Sequence, residues 1–234
     1  MAYSSVLIIS DQHIPYQHYD MIKFLRALKK KYKPDLVINM GDEADKHALS
    51  FHPTDSDLFS AGDELKETIK YLKGLYDLFP EMHIMESNHG SMVMRKAKAN
   101  GIPLHYFKSY NDVYELPKTW KWHNDKVTRL SNGQDVYTCH GKIKDSAKLS
   151  QQMAMNVIQG HYHESFKIEF WSNPNNLFWG MNVGCLIDNN SMAFAYNKLF
   201  PKRPIIGTGV IINGYPRLEP MILNKKGRWI GHLV

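Results

Sequence analysis

Cysteine is nearly absent. Cys139 and Cys185 are the only two in 234 residues, far apart and in unrelated surroundings. Without a CxxC pair the chain has no zinc ribbon and no dithiol redox motif, and each thiol reads as a small buried apolar side chain. Long apolar runs are missing too. No stretch approaches the ~20 residues that cross a bilayer. The opening "MAYSSVLIIS" has neither the cationic start nor the apolar length of a signal peptide. The expectation is a protein with no membrane partner and no export signal, working in a cytoplasm. No internal repeat, low-complexity linker, GxxxxGKS/T loop or GxSxG elbow occurs, which removes P-loop and α/β-hydrolase chemistry. Gly207-Thr208-Gly209 sits within a strand-like run, against a dinucleotide fingerprint. Acidic residues are in deficit, 23 Asp and Glu against 29 Lys and Arg, for a net charge of +6. That balance favours an anionic partner such as nucleic acid, nucleotide or phosphate ester.

What is present is a core. Five Trp, thirteen Tyr and ten Phe accompany the aliphatic residues, and no composition shift marks a boundary, so residues 1–234 read as one layered domain. "SSVLIIS" and "DLVINM" are buried strands, and "MHIMES" a third. Between them Met21, Phe24, Leu25 and Leu28 recur at helical spacing in a segment with a lysine-rich end, stopped by Pro34. Leu65, Ile69, Leu72, Tyr76 and Phe79 form the apolar stripe expected of a second helix. "SMVMRKAKAN" is a third helix, ended by Gly101. Alternating strands and helices predict an α/β fold with a largely parallel sheet. Beyond it, "KVTRL" and "DVYTCH" form a hairpin about Asn132-Gly133, and "DSAKLSQQMAMN" a short helix capped by Asp145 or Ser146. Aromatic-rich strands follow: "SFKIEFWS", "LFWGMNVGCLI", "IIGTGVIING", "RLEPMILN" and "RWIGHLV". The prediction is a four-layer α/β/β/α sandwich. Residues 105–124 fit neither sheet and are expected to form an inserted lobe or lid.

In such folds functional groups gather beyond the carboxyl ends of the strands. There the chain carries "SDQH" with Asp11 and His13, "MGDEAD" with Asp42 and Asp45, and "SNHG" with Asn88 and His89. "TCHG" adds His140, and "GHYH" adds His161 and His163. The mix of carboxylate, imidazole and amide, without thiolate, suits Mn2+ first, with Fe or Zn2+ as alternatives. These nine residues offer more ligands than one ion takes, and about seven suit two ions that share a carboxylate. Two ions about 3.5–4 Å apart polarise a phosphoryl oxygen together.

These blocks, D-x-H, G-D-x-x-D, N-H, H and G-H-x-H in that order from Asp11 to His163, resemble the calcineurin-like metallophosphoesterases. The resemblance implies a first divalent ion on Asp11, His13 and His163, and a second on Asn88, His140 and His161, with Asp42 bridging both. It implies His89 as the general acid for the leaving oxygen and Asp45 as the carboxylate that orients it. Two departures stand out. The family's third block is usually G-N-H-D/E, and here Ser87 and Gly90 flank the pair. The phosphoprotein phosphatases carry an arginine after the last aspartate of G-D-x-x-D, where this chain has Lys46.

The departure at Lys46 and the basic charge point to a phosphodiester. The resemblance includes small bacterial and bacteriophage chains regarded as DNA exonucleases, relatives of the SbcD nucleases, which implies a DNA (exo)nuclease in a bacterial or phage-infected cell. Two alternatives stand beside it: a phosphodiesterase or phosphatase for small nucleotides, and a non-catalytic, metal-containing nucleic-acid-binding protein. Arg95 and Lys96, just after His89, are candidates for phosphate contact, as is Lys46. His47 and His52 follow Asp42 and are candidates to line the cleft. His18, His83, His105, His123 and His232 match no block and read as surface or packing residues. The basic groups around Lys198, Lys202 and Arg203, and around Lys225, Lys226 and Arg228, read as solvated faces.

Overall fold

Val, Ile and Leu crowd the first strands because those strands are covered on both faces. The structure, a computed structural model, describes residues 2–50, 57–191 and 203–233. β1 (Ser5–Ile9), β2 (Leu36–Asn39), β3 (Met82–Met85) and β4 (Trp120–His123) run parallel in one sheet. β10 (Gly207–Ile212) and β11 (Tyr215–Pro220) extend it antiparallel on the β1 side. The second sheet has the order β5 (Asp125–Arg129), β6 (Asp135–Cys139), β7 (Asn156–Gln159), β9 (Leu177–Val183) and β8 (Phe166–Ser172). Its middle strands β6, β7 and β9 are parallel, and its edges β5 and β8 antiparallel.

Alternation along each strand sends one set of side chains to each face. Val6, Ile8, Ile38 and Met85 meet Val136, Ile158, Met181 and Val183 between the sheets. Leu7, Ile9 and Ile84 point outward beneath α1 (Met21–Tyr32) and α2 (Ala61–Leu78). On the far side Leu149 of α5 (Ser146–Met153) covers Tyr137, Cys139 and Val157. The layers are therefore helix, sheet, sheet, helix. α3 (Met92–Ala99) and the one-turn α4 (Tyr110–Val113) flank the end of β3. Asp145 caps α5 as predicted, accepting the Lys148 N–H at 2.9 Å, and Ser60 caps α2, accepting that of Asp63 at 3.2 Å. Both cysteines are buried, and burial pushes the Cys139 thiol up to about 12. Among the described residues no helix is long and apolar enough to cross a membrane.

Three expectations are corrected. α2 buries Glu64, Thr68, Leu72, Leu75 and Leu78, while Leu65 is 37% exposed. The polar pair turns the helix: Thr68 donates to the Ile14 carbonyl at 3.1 Å, and Glu64 accepts the main-chain N–H groups of His47 and Ala48. Within residues 105–124, Trp120–His123 is not outside the sheets; it is β4, the edge strand beside β3. The described residues of the last segment, 228–233, form no strand. Gly227 and Gly231 turn at positive φ, and Arg228 is held by Asp20 through two hydrogen bonds of 2.7 and 2.6 Å. His52, Lys198 and Lys202 lie outside the described residues.

Candidate metal centre

The chain reverses direction sharply after β1 and β2, and the residue types there tolerate it. Asp11, His13, Asp42 and His161 all adopt left-handed φ between 49° and 66°, a region that Asp and His enter more readily than most. The two loops are laced together by main-chain bonds, Asp11 N–H to Gly41, His13 N–H to Asp42 and Asp45 N–H to Ile14, at 2.8–3.1 Å. The second sheet docks onto them through the His161 N–H, which reaches Asp11 Oδ2 at 2.9 Å. Gly160 makes that approach possible: a Cβ there would lie 2.5 Å from Asp11 Oδ2.

Two clusters result. In the first, the donor atoms of Asp11, His13, Asp42 and His163 lie within 4.8 Å of one another; in the second, so do those of Asp42, His140 and His161. Asp42 belongs to both. Asn88 joins the second, its Oδ1 2.7 Å from His140 Nε2. The histidines are oriented from behind. His140 Nδ1 is 2.8 Å from the Met40 carbonyl, and His13 Nδ1 is 2.6 Å from Asp45 Oδ1. Carbonyls and carboxylates only accept, so Nδ1 carries a proton in each ring, and Nε2 is the atom that would face a bound cation. His13 Nε2 and His163 Nε2 stand 3.2 Å apart, two nitrogens aimed at one point.

Charge follows geometry. Burial favours the neutral Asp11, but its hydrogen bonds with His13 and His163 outweigh that and hold it well below the usual carboxylate range. Burial likewise opposes ionised Asp42, and the charges of His140 and His89 override it. The same carboxylates push His13 up to about 10 and His140 to about 9, against burial in both cases. The pocket draws in positive charge, as protons or as a divalent cation. Buried carboxylates, imidazole lone pairs and one amide oxygen are the donor set that such a cation fits.

Lys46 is corrected, and Asp45 has a second partner. Its carboxylate is 2.6 Å from His13 Nδ1, while toward His89 it offers its main-chain carbonyl to Nδ1, with the carboxylate 3.7 Å away. Burial lowers the pKa of His89, partly offset by Asp42 and Asp45. Lys46 turns inward, donating to the Gly90 carbonyl at 2.5 Å and lying 5.3 and 5.6 Å from the ring centres of Tyr110 and Tyr114. It lines an apolar cavity of about 120 Å3 with Glu64 and these tyrosines. Arg95 does line the open cleft of about 370 Å3 beside the second cluster, with Asn88, His140, Lys142 and His161; Lys96 does not. Sequence reading missed Glu64, hidden by its place among exposed acids, and noted Ser87 only as a departure, without its role. The Ser87 hydroxyl accepts the N–H groups of Asp42 and Gly90 at 3.0 and 2.9 Å. A Cβ at position 90 would meet that hydroxyl oxygen at 2.8 Å, so the departures at Ser87 and Gly90 are one paired change.

A family profile described as calcineurin-like phosphoesterase matches residues 4–199. The chain belongs to that family. Calcineurin-like phosphoesterases are hydrolases of phosphoester bonds that use divalent metals, and the Asp and His clusters stand where such ions could bind. Among solved structures the chain is similar to Vacuolar Protein Sorting 29 from Cryptosporidium parvum, at 14% identity and a TM-score of 0.51 over 97% of this chain and 95% of that one. The same protein from Chaetomium thermophilum matches at 11% identity and a TM-score of 0.50, over 100% and 94%. A metallophosphoesterase from Sphaerobacter thermophilus matches at 10% identity and 0.42, over 92% and 87%. At these identities the likeness is one of fold. The search of curated proteins found no match.

Proposed function

We propose that this calcineurin-like phosphoesterase is a two-metal phosphodiesterase acting on nucleic acid, DNA first. The observation that carries it is Asp42, whose carboxylate is 3.6 Å from His13 Nε2 and 3.2 Å from His140 Nε2, at the junction of two donor clusters. Asp11, His13, Asp42 and His163 would hold one divalent ion, and Asp42, Asn88, His140 and His161 the other. Two such ions supply Lewis acidity toward a phosphoryl oxygen and lower the pKa of water. The protein's own groups do the rest. Arg95 donates to the Asn88 carbonyl at 2.6 Å, steadying that ligand while its cation faces the cleft. His89, with Nδ1 committed to Asp45, keeps Nε2 for the departing oxygen. An anionic phosphoryl group beside it favours the imidazolium that burial disfavours.

Basic charge and an open cleft support a polymeric substrate. The cleft volume, about 370 Å3, also lies in the range of small-ligand sites and supports a second reading, a phosphodiesterase of small nucleotides. The test is a Mn2+ titration of hydrolysis of bis(4-nitrophenyl) phosphate, DNA, RNA and cyclic nucleotides, beside Asp42→Ala. Expected are metal content near two ions per chain, activity lost on chelation, and an inactive Asp42→Ala. Full activity after exhaustive chelation, or in that variant, overturns the two-metal reading. Turnover of small nucleotides without DNA binding at low salt selects the second substrate class.

A further inference from the structure

A pair of imidazoles stands outside the donor clusters, at an open edge of the sandwich. His83 of β3 and His123 of β4 face each other, Nδ1 to Nε2, at 2.7 Å, with ring centres 4.9 Å apart. The register sets His83 beside Lys121 and Met85 beside His123. Met85 packs between the sheets, so by alternation these residues share the inner face of the first sheet. β4 is the edge strand, and there the inner face opens to solvent. From the second sheet Lys126 of β5 comes within charge range of both rings, as does Lys121. Neither lysine is held by a carboxylate among the described residues.

An edge lysine by itself discourages strand-to-strand aggregation and calls for no ligand. The histidine pair is different. Whichever tautomer it adopts, the shared hydrogen bond uses one N–H and one lone pair. One outward N–H and one outward lone pair remain, and a proton added to the pair makes both outer nitrogens donors. Burial and then the nearby lysines push His83 down to about 4, and His123 shifts the same way for the same reasons. Two imidazoles and two ammonium groups therefore converge with no acid among them, and the missing partner is an anion. The slot adjoins the cleft. Asn124, the next residue after His123, lines the cleft with Arg95, His140 and Lys142, and the His123 carbonyl accepts the N–H of cleft residue Glu86 at 2.7 Å.

We propose that His83, His123, Lys121 and Lys126 form a second anion site, which takes a backbone phosphate of a polynucleotide strand whose scissile phosphodiester lies at the Asp42 clusters. The site rests on the phosphodiesterase reading and narrows its substrate to a chain longer than the cleft alone accommodates.

The experiment compares wild type, Lys121→Ala/Lys126→Ala and His83→Gln/His123→Gln. Binding of labelled single strands, from dinucleotides to about 20 nucleotides, is followed against salt, and hydrolysis of bis(4-nitrophenyl) phosphate is measured in parallel. For the wild type, affinity should rise with strand length. The lysine variant should bind the long strand more weakly, with a salt slope flatter by about 0.7, the value for one lost phosphate contact. The histidine variant should also bind the long strand more weakly, and both variants should hydrolyse the small diester as wild type does. In the imidazole 15N spectrum, the His83 and His123 signals should move on adding the strand. Unchanged affinity and slope in both variants overturns the proposal, as does competition by inorganic phosphate or a dinucleotide as strong as by the long strand. Failure of the phosphodiesterase reading is distinct: wild type would not hydrolyse the small diester. Lys121 is exposed and Lys126 half-buried, so the lysine variant keeps the test open if the histidine variant does not fold.

Discussion

Asp45 divides its labour between two histidines. Its carboxylate, buried at 2% exposure, meets His13 Nδ1 at 2.6 Å, while its carbonyl takes His89 Nδ1. A carboxylate behind a ligating imidazole fixes the tautomer and raises basicity, and its loss costs ~10–100-fold in metal affinity. Asp45→Asn should therefore weaken Mn2+ binding by about that factor, read by isothermal titration. His89→Ala should leave Mn2+ affinity nearly unchanged and lower kcat by ~10²–10⁴, with a smaller loss for nitrophenyl leaving groups that need little protonation. If Asp45→Asn bound metal normally and lost only kcat, its carboxylate would be serving His89 after all. At this scale much of the site was legible, because Asp, His and Asn at strand ends are unusual enough to notice. The choice of partner for each was not. Asp45 is close to both histidines along the fold, and a separation of an ångström decided between them.

The element that most departs from its sequence pattern is the chain end. Alternating apolar residues in "RWIGHLV" read as a strand, yet Leu223 and Trp229 form a single bridge. Arg228 and the Trp229 N–H instead close on Asp20, at the start of α1, and Trp229 meets Phe24 edge-on at 5.5 Å. One ion pair docks the tail onto the helix. Asp20 titrates near 3.8 in an ordinary setting and is held at about 2 by Arg228. The depressed value means that ionised Asp20 favours the folded state fully above about pH 4, and that the contribution fades as pH falls toward 2. Arg228→Ala should lower Tm most near neutral pH, and wild type and variant should converge as pH falls from 4 to 2. A gap in Tm that stays constant down to pH 2 would remove this pair from the acid response. α2 gives the same lesson: its apolar stripe suggested one buried face, and the hydrogen-bonding needs of the loops after β1 and β2 rotated Thr68 and Glu64 inward.

Across the whole molecule, the site depends on two sheets keeping their distance. Asp11, Asp42 and Asn88 follow strands of the first sheet, and His140, His161 and His163 follow strands of the second. Ile8, fully buried, packs in the layer between them. Ile8→Ala should cost about 2–5 kcal/mol in urea unfolding, with a parallel loss of Mn2+ affinity because the two halves of the donor set no longer hold their spacing. Unfolding at wild-type urea concentration would place the inter-sheet packing elsewhere.

By itself the sequence determined the alternation of strands and helices, the order of ligand-type residues at the strand ends, and the membership of Asp11, His13, Asp42, Asn88, His140, His161 and His163 in one group. These follow from short-range physics: side-chain period, turn tolerance and residue chemistry are written locally. Only the tertiary structure decided that the Asp45 carboxylate lies nearer His13 than His89, that Lys46 faces a cavity rather than the cleft, and that His83 and His123 pair at the edge of the first sheet. These depend on contacts between segments far apart in the chain. For the histidine pair, a shift of one residue between β3 and β4 would turn one ring to the opposite face.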